Sequence, residues 1–106
     1  MLSFRESARR VRRRPNGGRN TTMHVEFLGV PRERAGIPEL EMHASTLGQL
    51  LGALVARLPS LAEIIENDRL HPAFVANVNG ERFVKDPATP LDAGDRVLIL
   101  SADAGG

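Results

Sequence analysis

The sequence closes on Gly105 and Gly106, and the α-carboxylate of Gly106 is the group whose setting best suits chemistry. Glycine has no Cβ, so a Gly-Gly end can pass extended through a narrow channel and bring its carboxylate close to another protein's backbone. The side chains offer no comparable group. His24, His43 and His71 lie far apart, without the spacing of a metal site; His24 and His43 can face one another across a hairpin, but one pair is no site. Glu63 with Glu66, and Asp92 with Asp95, read as capping and turn-making residues rather than an acid–base pair. Ser45, Ser60 and Ser101 have no nucleophile elbow and no histidine placed to activate them. Gly17-Gly18 precede no lysine and open no helix, so no phosphate loop is present. With no cysteine there is no thiolate chemistry and no disulfide. The expectation is a chain that binds no cofactor or metal and delivers its terminus to partner enzymes that supply the reaction.

A terminus used in this way must be held by a rigid element. Val97-Leu98-Ile99-Leu100, directly before the tail, is apolar throughout, as expected of a central strand covered on both faces. "HVEFLGV" alternates, with Val25 and Phe27 together, and reads as the first strand. "VPRERAGIPE" reads as a turn-rich connection, and "LEMHA", with Leu40 and Met42 together, as the return strand of a hairpin. Leu47, Leu50, Leu51, Leu54, Val55 and Leu58 then form one apolar stripe at helical spacing. Thr46-x-x-Gln49 is a capping box at its start, and Pro59 stops it. Ser60-x-x-Glu63 predicts a second capping box and a short helix presenting Leu61, Ile64 and Ile65. "FVANV" and "ERFV", joined by Asn79-Gly80, read as a hairpin because both turn residues tolerate positive φ. "PLDAGDRVLIL" opens with a turn at Gly94 and enters the last strand. The fold class is α+β: a mixed sheet with one long helix packed on one face. The first and last strands are expected to pair in parallel at its centre, with the helix in the crossover between the two halves.

The 106 residues suffice for one domain. Charge divides them. Residues 1–22 hold seven arginines against Glu6, a balance of +6, and residues 23–106 carry −5. Residues 1–22 read as a disordered basic extension, or as the product of a start misassigned upstream of Met23. A nucleic-acid-binding arm, a transit peptide and a membrane-surface anchor are the other readings of that charge. No run approaches the roughly 18 apolar residues of a membrane span, and a soluble, cytoplasmic protein without a membrane partner is expected. With four phenylalanines and neither tryptophan nor tyrosine, the domain is poorly equipped to stack on bases, and nucleic acid is not its expected partner.

Over residues 23–106 the chain resembles the ubiquitin-like sulfur carriers of the MoaD/ThiS family. The resemblance rests on "HVEFLGV", the helix "TLGQLLGALVARLP", "AFVANVNGE", "PLDAGDRVLIL" and the terminal "AGG". Its most specific part is Leu-x-x-Gly-Asp-x-Val, a final strand, and Gly-Gly at the end. The resemblance implies a β-grasp fold. It also implies that an adenylyltransferase of the ubiquitin-activating type, which holds the ATP and metal, adenylates the Gly106 carboxylate. A sulfur donor then converts it to a thiocarboxylate for a biosynthetic synthase. Such a carrier is closest to a molybdopterin-synthase small subunit, partnered by the large subunit, or to a cysteine-pathway carrier. By position, Gly105 and Gly106 are the functional residues, with Ala104 and Asp103 threading behind them. Phe83 and Leu100, apolar and near the ends of their strands, are the expected docking residues. Two other readings stay open: a protein modifier whose Gly106 is joined to a lysine, and a β-grasp binding module whose basic tail grips nucleic acid.

Overall fold

Met23, Val25 and Phe27 alternate with polar residues and bury one face of the first strand, on which the other elements assemble. The computed structural model describes residues 22–105. In chain order these form β1 (Thr22–Phe27), α1 (Val30–Ala35), β2 (Glu39–His43), α2 (Leu47–Arg57), a 3-10 helix (Pro59–Glu63), β3 (Ile65–Glu66), β4 (Arg69–Leu70), β5 (Phe74–Val78), β6 (Arg82–Val84), β7 (Arg96–Ser101) and a terminal helical turn, α3 (Ala102–Gly105). The main sheet has the order β2-β1-β7-β5-β6. Its central pair, β1 and β7, is parallel, with Val25 beside Val97 and Phe27 beside Ile99, and the other pairs are antiparallel. This is the β-grasp arrangement, with the first and last strands of the chain joined at the middle.

α2 forms where the apolar stripe predicts it. Leu47, Leu50, Leu51 and Leu54 are fully buried against Met23, Val25, Phe27, Ala76, Val78, Val97 and Ile99. Burying each leucine stabilises the fold by about 2 kcal/mol, which makes this layer the main source of cohesion. At the helix start the Gln49 N–H donates to Thr46 Oγ1 at 3.2 Å. The Gln49 side chain reaches back one residue further than in the usual box, accepting from the Ser45 N–H at 2.8 Å.

The structure departs from the sequence reading at several places. The connection after β1 is not all turn, because α1 occupies Val30–Ala35. A proline in its first turn presets a helical φ, and Gly36, at φ 79°, ends it in the left-handed conformation. Ser60 and Glu63 make no capping box. Pro59 begins a 3-10 helix without a side-chain cap, and both residues turn to Arg34 of α1: the Ser60 hydroxyl donates to the Arg34 carbonyl, and Glu63 pairs with the guanidinium at 2.8 Å. Ile64 and Ile65 lie beyond that helix, though both are buried as expected. Residues 65–70 form the small hairpin β3–β4, whose turn residues Asn67 and Asp68 adopt φ 54° and 61°. The β5–β6 hairpin turns at Asn79-Gly80, but Val78 pairs with Arg82, so its loop has one residue more than the two expected. Thr22 belongs to β1; the rest of the expected extension over residues 1–22 lies outside the described residues. Among the described residues, no helix is long and apolar enough to cross a membrane.

Candidate functional site: the tail and the open sheet face

β7 carries the tail, and the Leu-x-x-Gly-Asp-x-Val stretch fixes where that strand begins. Leu91 is buried and Val97 enters the core. Gly94 takes φ 89°, a conformation that residues with a Cβ avoid. The Asp95 carboxylate accepts from the Asp92 N–H at 2.8 Å and from the Asn79 side-chain amide at 3.0 Å. Asn79 also brackets Arg96: its Oδ1 accepts from the Arg96 N–H at 2.9 Å, and its own N–H donates to the Arg96 carbonyl at 2.7 Å. The Asn-Gly turn and the turn before β7, separate in the sequence reading, are one hydrogen-bonded unit. With β1 on one side and β5 on the other, β7 cannot slide without breaking two ladders. The point at which the chain leaves the sheet, Ser101, is therefore fixed.

Beyond Ser101 the chain does not continue extended. Ala102–Gly105 coil into one helical turn beside β5 and β7, and the Ala102 N–H donates to the Ala73 carbonyl at 2.8 Å. This differs from the extended tail that threading through a channel needs. A helix this short has little stability of its own, so drawing it out costs little. Asp103 is exposed, Ala104 lies within the turn and Gly105 ends it. Gly106 lies outside the described residues.

The sheet face turned away from α2 is the surface next to this tail. Alternation places His24 and Glu26 of β1, Leu98 and Leu100 of β7, Val75 and Asn77 of β5, and Phe83 of β6 on it. Registers align Phe83, Asn77, Leu98, Glu26 and Glu39 in one row across all five strands. Val75 and Leu100 face each other in the next row. Leu28, whose N–H still bonds to the Ile99 carbonyl, extends that row past the end of β1. Phe83 is 52% exposed and Leu28 47%, whereas Leu100 is only 6% exposed. Of the two expected docking residues, Phe83 is presented to solvent, and Leu100, on the same face, is buried. The apolar run of β7 thus serves two surfaces: Val97 and Ile99 fill the core, and Leu98 remains half-buried on the open side.

The sequence reading passes over Leu28 and counts Leu98 in a strand covered on both faces, although the period of two in "HVEFL" already sets His24, Glu26 and Leu28 apart from Val25 and Phe27. It also misplaces the histidine pair. His24 lies opposite Glu41 and His43 opposite Thr22, whose hydroxyl is 3.1 Å from His43 Nδ1, so the two histidines are diagonal neighbours. His24 turns instead to Glu39 and Glu26, with Nε2 2.7 Å and 3.3 Å from their carboxylates. Asp92 and Asp95 make the turn expected of them.

A sequence profile of the ThiS family matches residues 25–106. No curated protein matches the sequence. Among solved structures, SAMP1 from Haloferax volcanii is similar with a TM-score of 0.66 and 24% identity, over 80% of this chain and 99% of its own. A chain of the BexX/CysO complex from Amycolatopsis orientalis matches with a TM-score of 0.65 and 22% identity, over 79% and 99%. A chain of the complex of subunits 1 and 2 of molybdopterin-converting factor from Helicobacter pylori 26695 matches with a TM-score of 0.55 and 21% identity, over 80% and 99%. At these identities the likenesses establish the fold, and the last two structures are complexes with partner proteins.

Proposed function

The chain belongs to the ThiS family, and from that premise we propose that it is a sulfur carrier whose working group is the Gly106 carboxylate. One observation carries the proposal: the sequence runs from the doubly paired strand β7 through a single weak turn to Gly105-Gly106, beside a sheet face with exposed apolar residues. An adenylyltransferase of the ubiquitin-activating type docks on that face around Phe83, Leu28 and Leu98, and draws the tail out of its turn. The Gly106 carboxylate attacks the α-phosphorus of ATP and displaces pyrophosphate. The resulting mixed anhydride has AMP as its leaving group, which a sulfur nucleophile then displaces to leave a thiocarboxylate. ATP and metal belong to the partner. This chain supplies a positioned terminus and keeps side-chain bulk out of the channel.

The same face then receives the sulfur-accepting synthase. One docking surface used in turn by the activating enzyme and the acceptor keeps a carrier from engaging both at once. The acceptor is a synthase of molybdopterin-converting type or of a cysteine-forming pathway, and the protein works in the cytoplasm. The test is ATP–pyrophosphate exchange, with the full chain added to an activating enzyme from the same cell. Exchange should depend on the chain and vanish when Gly106 is deleted or one residue is appended after it. Exchange that survives both changes would overturn the proposal.

A further inference from the structure

The open face carries a second feature that needs neither the tail nor a partner. We propose that His24, Glu26 and Glu39 form a binding site for a divalent transition-metal ion, zinc being the simplest occupant. Strand geometry gathers the three groups. His24 and Glu26 are two residues apart on β1 and so share a face, and Glu39 of β2 lies directly opposite Glu26. His24 Nε2 is 3.3 Å from Glu26 Oε2 and 2.7 Å from Glu39 Oε1, and the three ligand atoms all lie within 4.8 Å of one another. A tetrahedral ion with bonds of about 2.0–2.1 Å holds its ligands roughly 3.4 Å apart. One separation already fits, and side-chain torsions can adjust the others while the backbone stays in place.

The setting favours a cation in other ways. β1 is hydrogen-bonded on both sides, so two of the three ligands stand on a rigid strand. Glu26 and Glu39 are like charges directly opposite each other, an arrangement that costs stability unless a cation is shared. Glu41, opposite His24 on the same face, adds a third carboxylate to the local field. One imidazole nitrogen with carboxylate oxygens suits zinc or a similar ion better than calcium or magnesium, which take oxygen-only sites. The exposed side leaves coordination positions open. Glu26 and Glu39 share their cross-strand row with Leu98 and Phe83, so a bound ion would sit at the margin of the apolar surface.

Arg96 competes for the site. Its guanidinium donates to Glu26 Oε2 at 2.8 Å, the same oxygen that faces His24. The Arg96 side chain is 65% exposed and bonds this carboxylate from solvent, so it can swing aside when an ion arrives. That competition makes a direction that an ordinary surface ion-pair network would not produce: removing Arg96 should tighten metal binding.

The experiment is calorimetric titration of the full chain with zinc chloride alone. The wild type should bind one ion saturably. His24→Ala and Glu39→Gln should each weaken binding by about tenfold or more, since even outer-shell changes at metal sites cost tenfold. Arg96→Gln should strengthen it, and His71→Ala should leave it unchanged. All four side chains are exposed or half-buried, and Arg96→Gln keeps the question decidable if a ligand variant folds poorly. Absence of saturable one-ion binding, binding that survives His24→Ala, or weaker binding in Arg96→Gln would each overturn the site.

Discussion

Phe83 and Leu100 share a face of the sheet but not an environment. Phe83 is more than half exposed on an edge strand, and Leu100 is buried on a central one. Phe83→Ala should therefore change unfolding free energy by no more than about 0.5 kcal/mol, the usual range for a surface position. The same change should weaken binding of the proposed activating enzyme by roughly tenfold, as expected of an aromatic anchor. Leu100→Ala should cost about 2–3 kcal/mol in chemical denaturation, because it empties a filled site. Equal destabilisation by the two variants would contradict this division. Asn79 offers a second test. Its φ is 58°, and its side chain bonds both Asp95 and the Arg96 N–H. Asn79→Ala loses these bonds and strains the backbone, whereas Asn79→Gly loses the bonds alone. Alanine should be worse than glycine by about 1 kcal/mol in urea unfolding, reversing their usual order.

At the scale of elements, two glycines of α2 should respond in opposite ways to the same substitution. A Cβ on Gly48 would lie 3.0 Å from Pro87 Cβ and 3.2 Å from the Pro87 carbonyl oxygen, held there by the Gly48 N–H bond to that carbonyl. A Cβ on Gly52 would meet only the Asp68 carboxylate, an exposed side-chain end that can move. Gly48→Ala should lower the melting temperature, while Gly52→Ala should leave it unchanged or raise it, with a helix-propensity gain of up to about 1 kcal/mol. Thr46→Ala should cost about 1 kcal/mol through loss of the N-cap. These elements also show what a sequence can reveal. α2 was legible because three turns of apolar period, a cap and a stopping proline agree. α1 was not, since six residues span less than two helical turns and its proline and arginines read equally well as loop. The Ser60–Glu63 spacing misled for a different reason: a tertiary partner, Arg34, claims both side chains, and local spacing carries no trace of it.

At the scale of the whole molecule, pairing of β1 with β7 joins the first described strand to the one that carries the tail. Their apolar patterns made the parallel pair legible. The proposed role of the Gly-Gly tail rests on the sequence, because a terminal carboxylate needs no side chain to be read, and Gly106 itself lies outside the described residues. The His24–Glu26–Glu39 group and the row from Phe83 to Glu39 were not, since each depends on register between strands distant in sequence. The helical turn at Ala102–Gly105 was also missed, because four residues are too few to show a helical period and Gly105-Gly106 favours a flexible reading over the two alanines. The basic residues before β1 give a further prediction. Removing residues 1–21 should leave the melting temperature and pyrophosphate exchange unchanged; loss of exchange on that removal would assign the basic segment a part in docking. The most direct test of the proposed sulfur carriage is the intact mass of the protein, isolated without added thiols after incubation with an activating enzyme from the same cell, ATP and a sulfur donor. A sulfur carrier predicts a species heavier by the exchange of one oxygen for one sulfur, localised to the peptide ending in Gly106. A chain that stays unmodified under those conditions, or sulfur that maps elsewhere, would contradict it.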